Sequence, residues 1–161
     1  MAKVLIAYYS RSGNTEKMAE AVATGARQVS GVEVDLRPVA EVTPDDLLAA
    51  DGIIMGSPVY FGSMAAELKT LIDESVKRYG KLTGKVGGAF ASSGAIGGGT
   101  ETTVLDILKA MLIHGMIVQG TTQGAHYGAV AFGAPDERAC KDCRGLGRRV
   151  AELAARLAAA Q

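Results

Sequence analysis

The chain has 161 residues, enough to bury the core of one domain, and we expect residues 1–161 to form a single domain. Its formal net charge is zero and it contains no basic run, so a nucleic-acid partner is not expected. No apolar run approaches the roughly 18 residues of a membrane span, and no basic-then-apolar leader opens the chain. We therefore expect a cytoplasmic protein without a membrane span.

The chain opens with an apolar run that predicts a strand, Lys3–Tyr8, and continues into a helix predicted over Thr15–Gln28. Between them lies a polar loop, Tyr9–Thr15, which we call loop 1. Its small hydroxyls, the flexibility of Gly13 and the unpaired N–H groups of a helix start favour a phosphate or similar dianion. An ordinary capped βα turn uses the same residue types, so loop 1 alone does not distinguish a phosphate site from such a turn.

The next elements continue the alternation of strand and helix. Val32–Leu36 alternates apolar and polar residues, as expected of an edge strand with one wet side. Thr43–Asp46 predicts a short helix with a hydroxyl cap and proline in its first turn. Gly52–Gly56 is a continuous apolar strand, and Ser57–Gly62, here loop 2, follows it with a proline and two aromatic residues.

Ser63 is predicted to cap the following helix, whose inward stripe consists of Leu68, Leu71, Ile72 and Val76. A strand, Val86–Ala91, then leads into loop 3, Ser92–Thr100, which contains four glycines. The helix after loop 3 is expected to turn Val104, Leu108, Met111 and Leu112 inward.

The last part of the chain contains a divided strand and a helix. The fifth strand starts at Met116–Gln119, is interrupted by Thr121–Gly128 and resumes at Ala129–Phe132. Pro135–Glu137 opens the final helix, whose apolar stripe includes Cys143. Cys140 lies one turn earlier. We expect the two cysteines of this Cys-x-x-Cys pair to be buried as small apolar residues. A redox role for the pair stays open as the alternative.

Five strands alternating with five helices predict an α/β fold with a doubly wound parallel sheet and helices on both faces. The edge character of the second strand favours the order 2-1-3-4-5, the flavodoxin-like arrangement. In such sheets a ligand binds beyond the carboxyl ends of the strands, between the first and third. Loops 1, 2 and 3 would meet there, where a planar ring could lie between an aromatic loop and a glycine-rich backbone. Alternatively, Tyr60 and Phe61 pack under the next helix and loop 3 is a surface loop.

The resemblance to known proteins is carried by several motifs in order along nearly the whole chain. Loop 1 with Glu16 resembles the FMN phosphate loop of flavodoxins. Gly56–Met64 and Ser92–Glu101 resemble the second and third loops of the WrbA-like NAD(P)H:quinone oxidoreductases, and His114–Met116 and Tyr127–Ala129 are similar to further motifs of that family.

This resemblance implies that FMN is the cofactor and that two electrons pass from NADH or NADPH, bound transiently, to a quinone. The residues that it implies for FMN binding are Ser10, Arg11, Ser12, Gly13, Asn14, Thr15, Pro58, Val59, Tyr60, Phe61, Gly62, Ser92, Ser93, Gly94, Ala95, Gly97 and Gly98. His126 is a candidate catalytic residue that could bind or protonate a quinone oxygen, or else an exposed loop residue. No cluster of metal-ligand spacing occurs in the sequence.

Two departures from the family bear on its function. The insertion within the fifth strand is only Thr121–Gly128, shorter than in WrbA-like chains, which puts quinone specificity and tetramer assembly in question. The flavin face has no stacking lid from its own chain, so a neighbouring subunit of a homodimer or homotetramer could supply one. The alternative to the reductase is a flavodoxin-type electron carrier between redox proteins, which the neutral surface and the glycine-rich loop 3 disfavour.

Overall fold

The computed structural model describes residues 1–160, and a sheet of seven strands lies at its centre. The strands are β1 Ala2–Tyr8, β2 Val32–Pro38, β3 Gly52–Tyr60, β4 Ser63–Met64, β5 Val86–Ser93, β6 Ile117–Val118 and β7 Ala129–Phe132. The α-helices are α1 Asn14–Arg27, α2 Pro44–Ala49, α3 Ala66–Glu74, α4 Thr100–Ile113 and α5 Glu137–Ala159. Two short 3₁₀ helices cover Val39–Glu41 and Ser75–Arg78.

The sheet has the predicted order. Its main path is β2-β1-β3-β5-β6 with all neighbours parallel, and β2 is at an edge as expected. β6 and β7 both pair with β5, β6 with its beginning and β7 with its end. They are the two halves of the predicted fifth strand, separated by a segment in which no strand is assigned. The α/β flavodoxin-like fold class and the order 2-1-3-4-5 are therefore confirmed.

Two apolar layers cover the two faces of the sheet. Val4 and Ile6 of β1 belong to the layer that includes α1 and α5, whereas Leu5 and Ala7 belong to the layer under α2, α3 and α4. Successive side chains of a strand point to opposite faces, so a continuous apolar run is what a strand covered on both faces requires. Within residues 1–160, no helix combines the length and the apolar character needed to cross a bilayer.

Helices α1 and α5 pack with their backbones in close approach. A Cβ atom added at Gly25 would lie 1.9 Å from the Arg144 carbonyl oxygen, and one added at Gly147 would lie 1.9 Å from the Val22 carbonyl oxygen. Only glycine fits at both positions. This crossing fixes α1, and with it the loop that precedes α1, against the rest of the molecule.

The predicted start of the third helix is wrong. β3 continues to Tyr60 and turns back through β4, so Ser63 lies in a hairpin and α3 begins only at Ala66. The Ser63 hydroxyl donates to Asp106 Oδ2 of α4 at 2.7 Å instead of capping a helix.

Two residues predicted to face inward are exposed, Val76 by 67% and Leu112 by 60%. The chain around Val76 is a 3₁₀ helix, whose three-residue period rotates this side chain off the stripe of α3. Leu112 lies next to the buried Met111 in the last turn of α4, about 100° around the helix from it.

Candidate functional site

Loops 1, 2 and 3 meet at the carboxyl ends of β1, β3 and β5, where they enclose a cavity of about 270 Å³. The residues that line it are Arg11, Ser12, Asn14, Thr15, Pro58, Val59, Tyr60, Ser92, Ser93, Gly94 and Gly133. All of these except Gly133 were expected at the site from the sequence. The structure thus brings together residues from three loops that are separated by more than 30 positions along the chain.

The start of α1 leaves backbone donors open at this cavity. Gly13 is the N-cap residue, with a left-handed φ of 94°, and no side chain caps the helix. Its own N–H group donates to Ser10 Oγ at 3.1 Å, which shapes loop 1. The first N–H groups of any α-helix have no partner inside the helix, and they carry the positive end of its dipole. Asn14 and Thr15, which bear two of these groups, line the cavity.

A buried hydrogen bond joins loop 1 to loop 3. Thr15 Oγ1 and Ser92 Oγ lie 2.8 Å apart, and the two residues are 2% and 6% exposed. Because both hydroxyls are withdrawn from water, each depends on the other for its hydrogen bond. This pair holds the first turn of α1 against the end of β5.

Loop 2 is a rigid hairpin tip. The buried Ser57 hydroxyl donates to the Pro58 carbonyl at 2.7 Å and accepts the Ala65 N–H at 2.8 Å. Phe61 is fully exposed at the tip with a φ of 50°, so it does not pack under α3. Tyr60 is 37% exposed, and its ring meets the Tyr9 ring edge-on at a centroid distance of 6.4 Å.

Loop 3 touches loop 2 through its glycines. Gly97 and Gly99 have φ values of 77° and 113°, and Gly99 is the N-cap of α4, again without a side-chain cap. A Cβ atom on Gly99 would come within 2.9 Å of the Gly62 Cα. The Thr102 hydroxyl donates to the Gly62 carbonyl at 2.8 Å. The two loops are therefore joined directly beside the cavity.

The cavity favours anions. Hydroxyl groups of Ser12, Thr15, Ser92 and Ser93 line it, together with the guanidinium-bearing Arg11, and no carboxylate residue is among its lining residues within the described chain. Hydroxyls, backbone N–H groups and a guanidinium are the donors that bind phosphate in proteins.

Several predicted site residues flank the cavity without lining it, namely Ser10, Gly13, Phe61, Gly62, Ala95, Gly97 and Gly98. His126 lies on an exposed segment, with its Nδ1 atom 2.9 Å from the Thr121 carbonyl oxygen. A carbonyl oxygen only accepts a hydrogen bond, so Nδ1 carries the proton and Nε2 of the neutral ring is unprotonated. The role of each of these residues in binding or catalysis stays a prediction.

Sequence reasoning missed Gly133. Its N–H group donates to the Ser93 carbonyl at 2.7 Å, and its φ is 67°. A glycine directly after the apolar run Ala129–Phe132 is the signal that could have identified it, because every other cavity loop also follows a parallel strand.

The cysteine pair lies away from the cavity. Cys143 is fully buried on α5, as expected, and burial raises the pKa of its thiol to about 12. Cys140 is partly buried. A thiol with a raised pKa is a poor nucleophile, so Cys143 behaves as a small apolar core residue.

Comparisons with known proteins agree with this geometry. The model of a family described as NADPH-dependent FMN reductase matches residues 43–129. A flavodoxin of Aquifex aeolicus (strain VF5) is 44% identical over 163 residues, which cover 96% of this chain and 88% of that protein. An NAD(P)H dehydrogenase (quinone) of Chromohalobacter salexigens is 36% identical, covering 98% of this chain and 100% of that protein. The crystal structure of a flavodoxin, WrbA-like protein from Agrobacterium tumefaciens has a TM-score of 0.83 at 28% identity, covering 97% and 99% of the two chains.

Proposed function

Because this chain belongs to the NADPH-dependent FMN reductase family, we propose that it binds FMN between loops 1, 2 and 3 and passes two electrons from NADH or NADPH to a quinone. The observation that carries this proposal is the start of α1 at Gly13, which is left-handed and has no side-chain cap, and whose first residues Asn14 and Thr15 line the cavity. It leaves the first N–H groups of α1 available to a ligand in the cavity.

The residues present fit the phosphate end of FMN. No atom lies within 4 Å of where a Cβ would stand on Gly13, so the backbone at the start of α1 is open to a ligand. Asn14 and Thr15 would donate their N–H groups, and Ser12 its hydroxyl, with Arg11 balancing the charge. The absence of a carboxylate among the described lining residues removes the main source of repulsion.

The flavin end would lie between loops 2 and 3. Pro58, Val59 and Tyr60 offer an apolar and aromatic side, and Gly94, with open space at its Cβ position, offers backbone on the other. When bound, FMN supplies the two-electron chemistry, and the protein supplies binding, orientation and exclusion of water. His126, if it reaches the acceptor, would take a proton at Nε2 while neutral and donate it only as a cation.

A second candidate is an electron carrier that exchanges electrons with partner proteins. One observation favours it, since the relative from Aquifex aeolicus carries the name flavodoxin. The two candidates share FMN and differ in whether a nicotinamide reduces the bound cofactor.

Anaerobic mixing of the FMN-loaded chain with NADH or NADPH separates the two. For the reductase we expect rapid bleaching of the visible flavin absorbance, restored by benzoquinone over many turnovers. Bleaching by a chemical reductant alone, with a long-lived one-electron-reduced state, would establish the carrier instead. A chain that binds no FMN would overturn both.

We also propose a homodimer or homotetramer in the cytoplasm. The apolar side chains of Phe61 and Ile96, fully and 84% exposed on loops 2 and 3, support the idea that a neighbouring subunit covers the site. Light scattering of the FMN-loaded chain at micromolar concentration tests the assembly, and a monomeric mass would contradict it.

A further inference from the structure

A second, larger cavity of about 580 Å³ lies on the other side of loop 1. It opens between helix α3 and residues 38–42, which comprise the last residue of β2 and the segment that follows it. Val39, Val42 and Leu71 give it a buried apolar floor. Its volume is in the range of pockets that accept small organic molecules.

The polar lining of this cavity is acidic. Glu67 and Glu74 project from the same side of α3, two turns apart, and Glu16 contributes from the first turn of α1. No lysine or arginine is among its lining residues, and none of the three glutamates takes part in an ion pair within residues 1–160. Arg11 of loop 1 acts on the lining residue Tyr9 and offsets part of this charge, and the three glutamates leave the cavity negative.

Two tyrosines complete the lining. The Tyr8 hydroxyl donates to Glu16 Oε1 at 2.9 Å, and burial together with this contact raises the pKa of Tyr8 to about 12. The pKa of Tyr9 is also raised, by loss of hydration and by the Glu67 carboxylate beside it. Both tyrosines therefore stay neutral, and the partly exposed Tyr9 offers an aromatic face of the kind that attracts cations.

From these contacts we propose that this cavity is a binding site for an organic cation, an amine that is protonated or quaternary and is attached to an apolar body. The apolar body would lie on the floor formed by Val39, Val42 and Leu71, and the ammonium group would face Glu67 and Glu74. A phosphorylated ligand is excluded by repulsion from the same carboxylates, so neither FMN nor a nicotinamide dinucleotide is the occupant. This site is thus separate from the cavity proposed for FMN, although loop 1 borders both cavities.

The test is calorimetric titration of the full chain, with and without FMN, using benzyltrimethylammonium as the probe and benzyl alcohol as its uncharged counterpart. We expect saturable binding of the cation and at least tenfold weaker binding of the alcohol. Ring resonances of Tyr8 and Tyr9 should shift on binding, whereas those of Tyr127, which lies outside the cavity, should not. Because FMN-free protein is sufficient, the result is independent of the proposed function.

Matched charge variants test which carboxylates contribute to binding of the cation. The double variant Glu67→Gln/Glu74→Gln should weaken binding of the cation at least tenfold. Glu33→Gln/Glu101→Gln removes two exposed carboxylates elsewhere and should leave the affinity within about twofold, since distant surface charges are screened. A third variant, Thr70→Phe, fills the cavity without changing its charge and should also abolish binding.

Three results would overturn the proposal. The first is no saturable binding of the cation to wild-type protein, and the second is equal affinity for benzyl alcohol. The third is an equal loss in both double variants, which would reveal only a general attraction of cations to the protein surface.

Discussion

Helix starts at the carboxyl edge of the sheet are of two contrasting kinds. α2 and α5 are closed by side chains, since Thr43 and Asp46 form a reciprocal capping box and Asp136 accepts the Ala139 N–H at 2.7 Å. α1 and α4 instead start on left-handed glycines without a side-chain cap. The capped starts satisfy their own N–H donors and contribute stability, whereas the uncapped start of α1 at the cofactor cavity keeps its donors for a ligand.

The largest effect is expected from a substitution at Gly13, where α1 starts without a side-chain cap. Gly13→Ala should weaken FMN binding at least tenfold, or about 1.4 kcal/mol, because relief of the strained φ rotates the donors of loop 1. The strain itself should cost roughly 1–2 kcal/mol of stability. FMN affinity by fluorescence quenching and urea unfolding measure the two effects.

Gly31→Ala is the matched control for Gly13→Ala. Gly31 has a φ of 74° and, like Gly13, no atom within 4 Å of its Cβ position, but it lies outside the cavity. It should lose similar stability and keep its FMN affinity. Equal losses of FMN affinity in the two variants would mean that the open start of α1 does not hold the cofactor.

A second prediction concerns the hydrogen bond that fixes the uncapped start of α1 in place. Thr15→Val should destabilise the protein by about 1–3 kcal/mol, because it leaves the buried Ser92 hydroxyl without its partner. The double variant Thr15→Val/Ser92→Ala should cost less than the sum of the two single variants. Urea unfolding of the four proteins gives the coupling, and strict additivity would show that the bond contributes nothing.

The smallest effect concerns a closed start and depends on pH. Hydrogen bonds from the Thr43 hydroxyl and from Arg37 lower the pKa of Asp46 from 3.8 to about 2. The folded pKa lies below the unfolded one, so this stabilisation is present above pH 4 and is lost as the pH falls through 2. Asp46→Asn should therefore cost about 1 kcal/mol at neutral pH and nothing at the acid end.

FMN affinity should be the same in Asp46→Asn as in the wild-type protein. Unfolding measured between pH 2 and 7 tests the pH dependence, and a stability difference that did not shrink toward pH 2 would contradict the assigned pKa. A loss of FMN affinity would contradict the inference that the capped start of α2 takes no part in cofactor binding.

The strand order and most elements followed from local patterns in the sequence. The continuous apolar run in β3 and the alternation in β2 indicated a central and an edge strand, and both positions are correct. Such patterns suffice because each strand must present apolar side chains to every covered face of the sheet. The motifs of loops 1, 2 and 3 likewise identified ten of the eleven cavity-lining residues.

The features that the sequence did not reveal depend on distant contacts. Thr15 and Ser92 are 77 residues apart, and nothing near either residue signals their hydrogen bond. Ser63 has the residue type of a helix cap, but its hydroxyl is taken by Asp106 of α4, 43 residues away. The acidic cavity arises from α1, α3 and the end of β2, and it exists only once these elements are packed together.

The divided strand at the far edge of the sheet also limits how copies of this protein can associate. An edge that recruits another chain needs a continuous row of unpaired backbone groups. Here that edge consists of two residues in β6 and four in β7, with irregular chain between them. Growth of the sheet from one molecule into the next is therefore interrupted, which protects this edge from amyloid-like stacking. An assembly on this side of the molecule must instead use side-chain surfaces of the helices and loops.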